Sequence, residues 1–203
     1  MADKRNRRLD KSMLSDEELV YRISKKDPKA FEQFVSRYQN QVLKICYSFL
    51  GDYHRAEDAA QDVFVQIYRK AQSFRSESKV FTWIYRMAVN SSLNIIRKEK
   101  RFQWMKKVDF SKSDQYPGEK IPSDSIKNEP EALLEKKERI KVLRKAVNRL
   151  PEKQRTAIIL NKFEGFSAEE ISEILGVSIN TVEVRIHRAK RKLQSDLVSL
   201  FKL

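Results

Sequence analysis

Apolar residues recur three or four positions apart through much of the chain, which is the spacing of one face of an α-helix. In the first hundred residues this pattern predicts four helices: 15–27, which opens with a capping box of Ser15 and Glu18, then 30–51, one from about residue 55, and 82–97. No segment is convincing as a β-strand. The pattern therefore predicts an all-α protein.

One stretch, residues 101–129, lacks this periodicity. It contains Pro117, Gly118 and Pro122, and a loop of about 29 residues inside one compact domain would be unusual. We therefore predict two small helical domains, at residues 15–100 and 130–203, joined by a flexible linker and preceded by a basic tail at residues 1–14.

Beyond the linker, Pro130 and Pro151 each suit the first turn of a helix. The helix opened by Pro130 is predicted to turn five apolar residues inward: Leu133, Ile140, Leu143, Val147 and Leu150.

The most specific local pattern lies in residues 166–193. Ser167 and Glu170 form a capping box at the start of one helix, and Gly176 can adopt the positive φ that ends it. Ser178 then caps a second helix. Two short helices joined by a tight glycine turn are the helix-turn-helix that binds DNA.

The second of these helices has an apolar side and a basic side. Val182, Ile186, Ala189 and Leu193 fall in one narrow stripe at about 100° per residue, so they are predicted to be buried. The outer face, with the residues near the helix start, is predicted to meet the major groove: Asn180, Thr181, Val184, Arg185, His187, Arg188 and Arg191. Arg188 suits guanine, whereas Lys190 and Lys192 suit phosphates. The alternative is a solvated basic helix whose cations complement the helix dipole.

Charge points to a polyanionic partner for both halves. Residues 1–100 hold 20 basic and 13 acidic residues and the remainder hold 22 and 15, so each half carries +7 of the net +14. Four glycines argue against a dinucleotide site, and one cysteine and two histidines argue against zinc, so no cofactor is expected. No apolar run is long enough to cross a bilayer and the start lacks a secretory signal, so a cytoplasmic protein is predicted.

Residues 64–104 contain eight of the 20 aromatics, interleaved with cations. Such a mixture suits unstacked single-stranded bases, since aromatic rings stack on any base and cations follow the backbone. The alternative is that most of these rings are core, which we favour for Phe81 and Tyr85.

Several segments together resemble a bacterial RNA polymerase sigma factor of the extracytoplasmic-function (ECF) type. They read AFEQFVSRYQNQV, AEDAAQDVFVQIYRKAQSFR and FTWIYRMAVN in the first half, and LPEKQRTAIILNKFEGFSAEEISEILGVSINTVEVRIHRAKRKL in the second. The combination is far more specific than a helix-turn-helix alone.

The resemblance implies a role for each domain. The first would dock on the beta prime clamp of core RNA polymerase through Asp58, Gln61, Asp62 and Phe64. It would also hold the melted minus-ten promoter element, with one base flipped, through Lys70, Phe74, Arg75, Ser76, Lys79, Trp83, Arg86 and Asn90. The second would bind the minus-thirty-five duplex through the helix at 179–193, and further partners would be the beta flap and an anti-sigma factor.

The chain departs from the family pattern at the recognition helix. Asn180 stands where members often have Gly, and Glu183 with Val184 replaces a basic residue followed by Ser. Lys70 stands where some members have a small residue. These differences change which bases the two sites accept.

Two other functions remain as alternatives. A helix-turn-helix regulator acting without polymerase would need a dimerisation element for a symmetric operator, and no heptad run supplies one. A nuclease would need clustered carboxylates, and only Asp58 and Asp62 share a helix face. A promoter-specificity subunit without catalytic activity is the prediction.

Overall fold

In a computed structural model, the chain divides into two compact units. One comprises Met1–Leu50 and His54–Gln115, and the other comprises Gly51–Tyr53 and Tyr116–Leu203. The structure describes residues 14–75, 78–108 and 130–201. The predicted basic tail up to residue 13 and the predicted linker from residue 109 to 129 lie outside this range.

The first unit is built from helices α1 (Asp16–Ser24), α2 (Pro28–Leu50), α3 (Tyr53–Lys70) and α4 (Val80–Val108), with a 3₁₀ turn, Ala71–Ser73, after α3. Ser15 caps α1 by accepting a hydrogen bond from the Glu18 amide (3.1 Å). The apolar stripes of all four helices meet in one core, whose fully buried members include Leu19, Ile23, Phe34, Ile45, Val63, Ile67 and Ile84.

A polar cluster joins α1 to α2. The Tyr38 hydroxyl and the Arg37 guanidinium both donate to the Asp16 carboxylate, and Arg37 also donates to the Leu14 carbonyl oxygen (2.9 Å). Burial, followed by the hydrogen bond to Asp16, raises the pKa of Tyr38 above its usual value. The cluster therefore holds the short α1 against the long α2.

Helix α4 is longer than its apolar pattern predicts. The expected helix ended at residue 97, whereas α4 continues to Val108 and includes the first residues of the predicted linker. No proline or glycine occurs between residues 97 and 108 to stop it. The extension is also anchored, since Arg55 Nη2 on α3 donates to both Glu99 carboxylate oxygens (2.5 and 2.6 Å).

The second unit contains α5 (Pro130–Arg149), α6 (Glu152–Ile158), a π-helical turn (Ile159–Phe163), α7 (Ala168–Leu175) and α8 (Ile179–Phe201). Val147 and Leu150 are buried as predicted, but Leu143 is 36% exposed, so its predicted inward position is wrong. The side chain of Leu133 lies outside the described residues. Residues 14–75, 78–108 and 130–201 contain no strand, which confirms the all-α prediction.

None of the helices described here combines the length and the apolar character that crossing a membrane requires.

Candidate DNA-binding and polymerase-binding surfaces

The tight turn between α7 and α8 is set by hydrogen bonds of its own. Ser167 Oγ accepts from the Glu170 amide (3.2 Å), and the Glu170 carboxylate accepts from the Ser167 amide (2.9 Å), which completes the predicted capping box. Gly176 then adopts φ +64 and donates its amide to the Ser172 carbonyl (2.9 Å). An L-residue in this left-handed conformation would be strained, so glycine ends α7 at this point.

Helix α8 begins immediately after this turn. Ser178 Oγ accepts from the Thr181 amide (3.3 Å) and lies 2.8 Å from the Thr181 hydroxyl, which confirms the predicted second cap. Val182, Ile186 and Ala189 are buried against the rest of the unit, as predicted, whereas Leu193 is only half-buried. The arrangement is a helix-turn-helix in which the orientation of α8 is fixed at its N-terminus and along one side.

The opposite side of α8 carries the residues predicted to bind DNA. Asn180, Val184, His187, Arg188 and Arg191 are exposed, whereas Thr181 and Arg185 are half-buried. No acid interrupts residues 185–192, and Lys190 and Lys192 are also exposed. From residue 185 to residue 192 this face therefore carries only basic charges, and Glu183 lies just before it.

On α3, the apolar residue exposed beside the acids predicted to bind polymerase is Val65 and not Phe64. Asp58, Gln61 and Asp62 are exposed, but Phe64 is 8% exposed and packs in the core. Phe64 follows Asp58 by six positions, which places it on the far side of the helix at about 100° per residue. Val65, which is 46% exposed, completes the exposed stripe instead.

The predicted minus-ten residues lie at the end of α3, in the following loop and on α4. The Phe74 ring packs on Trp83 with centroids 4.9 Å apart and an interplanar angle of 45°. The polar members Lys70, Arg75, Lys79, Arg86 and Asn90 are exposed. Ser76 lies outside the described residues. Leu93, three positions after Asn90 on α4, is buried.

The two rings assigned to the core differ in burial. Tyr85 is buried, as predicted, whereas Phe81 is half-buried and stacks on Tyr85 with centroids 4.2 Å apart. The ring of Phe81 therefore packs on a buried ring of the same helix but is itself only partly in the core.

The turn between α1 and α2 supports the predicted minus-ten loop, a contact that the sequence did not indicate. Lys26, with φ +67, places its ammonium 4.2 Å from the centre of the Tyr68 ring and donates to the Tyr68 carbonyl (3.4 Å). The Phe31 ring also contacts Tyr68, with centroids 5.1 Å apart. Gln72 donates to the Ser24 carbonyl (3.3 Å). These contacts with Lys26, Phe31 and Ser24 therefore hold the end of α3 in place.

In the part of the chain that the structure describes, no group of three His, Cys, Asp or Glu side chains is arranged to hold a metal ion. Asp58 and Asp62 have no third ligand there.

Comparison with known families matches both units. The family described as Sigma-70 region 2 matches residues 34–102, and that described as Sigma-70, region 4 matches residues 140–193. The helix-turn-helix lies in the second match, and the α3 stripe lies in the first together with Phe81, Trp83 and Tyr85 of α4.

Relatives are similar over nearly the whole chain. The RNA polymerase sigma-H factor of Pseudomonas aeruginosa is 31% identical over 187 residues, which are 92% of this chain and 96% of that protein. The ECF RNA polymerase sigma factor SigW of Bacillus subtilis is 32% identical over 181 residues, 89% of this chain and 96% of that one. The ECF sigma-E factor of Escherichia coli K12 is 33% identical over 191 residues, 93% and 97% of the two chains.

Solved structures share the fold. CnrH, determined in complex with the cytosolic domain of CnrY, matches with a TM-score of 0.60 at 23% identity, over 91% of this chain and 97% of that one. The sigma factor RpoE of Bartonella quintana, in complex with the anti-sigma factor NepR, matches with a TM-score of 0.57 at 27% identity, over 83% and 97%. The chain therefore belongs to the ECF RNA polymerase sigma factors, the subunits that bind core polymerase, recognise promoter elements and promote DNA opening.

Proposed function

We propose that this sigma factor divides promoter recognition between its units and has no catalytic activity of its own. The observation that carries the proposal is that α8 has a cationic face on one side and a buried stripe on the other, formed by Val182, Ile186 and Ala189. The second unit takes the minus-thirty-five duplex. The first takes the melted minus-ten strand.

At the minus-thirty-five element, α8 enters the major groove with its first turns nearest the base edges. Arg188 is exposed and long enough to donate two hydrogen bonds to the N7 and O6 atoms of guanine. Asn180 and Val184 offer an amide and an apolar surface nearer the helix start. Arg191 and the neighbouring lysines neutralise phosphates, which positions the helix without reading sequence. His187 makes a polar contact in the groove.

At the minus-ten element, the first unit captures an unstacked base. Phe74 presents an aromatic surface supported by Trp83, and Asn90 offers an amide that both donates and accepts. The exposed cations Lys70, Arg75, Lys79 and Arg86 follow the strand. Ser76 belongs to the same set through the family resemblance.

The exposed stripe of α3 binds the beta prime clamp. Its members are Asp58, Gln61, Asp62 and Val65, which stand within two and a half turns on one side of the helix. Two carboxylates beside one apolar side chain suit a basic partner surface with an apolar contact. Phe64 supports this stripe from the core.

Two further partners follow from the relatives. Solved relatives are bound to an anti-sigma factor or to the cytosolic domain of CnrY, and we propose an anti-sigma factor for this chain too. The beta flap is the proposed partner of the second unit. Both assignments, together with polymerase binding, place the protein in the cytoplasm.

Run-off transcription tests the proposal. Purified full-length protein and core polymerase are combined on the promoter region of the protein's own gene. We expect a defined transcript that requires both proteins, and loss of that transcript when either promoter element is scrambled. Specific binding to the same DNA without polymerase, and no transcript with it, would instead support a helix-turn-helix regulator.

A further inference from the structure

The last turns of α4 carry large apolar side chains on the surface. Phe102, Trp104 and Met105 are 54%, 67% and 50% exposed. They lie at and beyond residue 102, where the match to Sigma-70 region 2 ends. A tryptophan this exposed is unusual unless it has a partner, because tryptophan is buried on average.

Cations surround these side chains, and the nearest acid points elsewhere. Residues 94–105 contain Arg97, Lys98, Lys100 and Arg101, with Glu99 as the single acid. Glu99 is held by Arg55 of α3, which lies on the other side of α4. The outer face of the extension is therefore cationic and aromatic, and the one carboxylate of these residues, Glu99, is paired with Arg55 on the other side.

This outer face continues the face proposed for the minus-ten element. At about 100° per residue, Arg97, Arg101 and Trp104 fall within an arc of about 60° that also contains Trp83, Arg86 and Asn90. Trp104 follows Asn90 by fourteen positions, or about 21 Å along the helix at 1.5 Å per residue. That distance corresponds to about six nucleotides if the strand keeps duplex spacing, and to fewer if the melted strand is stretched.

We propose that Arg97, Arg101 and Trp104 bind the melted promoter strand within about six nucleotides of the flipped base. The two guanidinium groups contact phosphates, and the indole stacks on an unpaired base of any sequence. The inference rests on the proposed minus-ten site, since it extends that site along one helix. Charge complementarity and continuity with the proposed site favour nucleic acid over an apolar protein groove.

Binding of single-stranded DNA by the holoenzyme tests this extension. One labelled oligonucleotide carries the minus-ten element alone, and a second adds about eight nucleotides on each side of it, beyond the expected contact. Fluorescence anisotropy measures the affinity of each. We expect Trp104→Ala to bind the longer strand about tenfold more weakly and the short one within about twofold of the wild type. Trp104→Phe should restore most of the loss, and Arg101→Ala should lower the salt slope on the longer strand by about one.

Two variants serve as controls. Gln103→Ala removes an exposed side chain from the opposite side of the extension and should bind both strands normally. Asn90→Ala should weaken both strands, because the flipped base is present in each. Normal binding of both strands by Asn90→Ala would contradict the proposed minus-ten site, whatever Trp104 does.

Three results would overturn the extension itself. Equal weakening of short and long strands by Trp104→Ala would place the indole at the minus-ten element. The longer strand is also tested with its added flanks annealed to complementary strands. If Trp104→Ala weakens binding only of this partly duplex DNA, contact with a melted strand is rejected. No effect on any DNA would leave the surface to a protein partner.

Discussion

Arg188 and Lys192 stand one helical turn apart on α8, yet the proposed docking gives them different tasks. Both are exposed cations with no acid between them. Arg188 lies closer to the N-terminal turns that approach base edges, and its planar guanidinium can make two parallel hydrogen bonds to one guanine. Lys192 is a compact charge suited to a phosphate.

We expect Arg188→Ala to weaken binding of the minus-thirty-five duplex by about 1–3 kcal/mol, with the loss concentrated at one base pair. Lys192→Ala should weaken all sequences alike and reduce the salt slope by about one. Titrating holoenzyme with specific and single-substituted duplexes at several salt concentrations measures both. If the two variants behave alike on specific and random DNA, Arg188 is a phosphate contact.

Cys46 makes stability in the first unit depend on pH. It is fully buried on α2, and burial raises the pKa of its thiol from 9.0 to about 11. The unfolded chain therefore loses this proton first as the pH rises, so the folded state is progressively disfavoured between the two values. Below pH 9 the contribution is fully present. The raised pKa of Tyr38 acts in the same direction at higher pH.

Between pH 8 and pH 10 the free energy of unfolding should fall by about 1 kcal/mol more in the wild type than in Cys46→Ala. Tyr38 is common to both proteins, so its effect cancels. Urea unfolding followed by tryptophan fluorescence reports the first unit, because both tryptophans, Trp83 and Trp104, belong to it. Parallel pH profiles for the two proteins would exclude the thiol as the cause.

At the scale of the element, the two sides of α3 carry two kinds of side chain. Val63, Phe64 and Ile67 face the core, whereas Asp62 and Val65 face outward. Neighbours in sequence such as Phe64 and Val65 therefore make a matched pair: one supports the fold and the other belongs to the proposed polymerase surface.

Replacing Asp62 and Val65 together by alanine should weaken binding to core polymerase while leaving the thermal unfolding temperature nearly unchanged. Phe64→Ala should instead destabilise the protein by about 3 kcal/mol, because it leaves a cavity in the core. Polymerase affinity and thermal unfolding are measured on the same preparations. A still-folded double variant with unchanged polymerase affinity would remove the stripe from the docking surface.

At the scale of the whole molecule, the two units are assigned separate steps of one process. The residues proposed for duplex recognition all lie on α8, and those proposed for base capture lie between Lys70 and Asn90. Each step can then be impaired while the other is retained.

Phe74→Ala and Asn90→Ala should therefore impair promoter opening and spare recruitment to the minus-thirty-five element. We expect each to destabilise the open complex by up to about 1–3 kcal/mol. Permanganate footprinting on linear and premelted templates measures opening directly. A premelted template removes the cost of strand separation but still requires base capture, so rescue should be partial. Normal opening of the linear template by both variants would place the pocket elsewhere on the unit.

Much of the fold was predictable because its determinants are local. The cap at Ser15, the capping box at Ser167 and the positive φ at Gly176 each depend on residues within one or two turns, and the structure contains all three. The second half of the box predicted at Ser15 is absent, because the Glu18 carboxylate accepts from Arg22 Nε instead (2.7 Å). Periodicity likewise predicted the buried stripe of α8 at Val182, Ile186 and Ala189, since a strong apolar pattern leaves little choice of face.

Two of the misses share one physical cause, which is contact between residues distant in sequence. The Arg55–Glu99 pair helps to hold α4 beyond the last residue of its apolar pattern. The neighbours of Tyr68 come from the α1–α2 turn, more than thirty positions away. The burial of Phe64 was missed for a different reason. Phe64 was assigned from a family motif, and a motif does not record which side of the helix each residue occupies.

The sequence by itself determined the helical class, the helix-turn-helix with its two caps, the basic balance of each half and membership of the sigma family. The first three follow from local hydrogen bonding, residue spacing and charge, none of which depends on distant contacts, and the family follows from the resemblance of whole segments to sigma factors. Only the tertiary structure decided that Lys26 supports the end of α3, that Arg55 pairs with Glu99, and that Trp104 is exposed near the end of α4. Exposure depends on which elements pack against a helix, and that packing is set by the whole core at once.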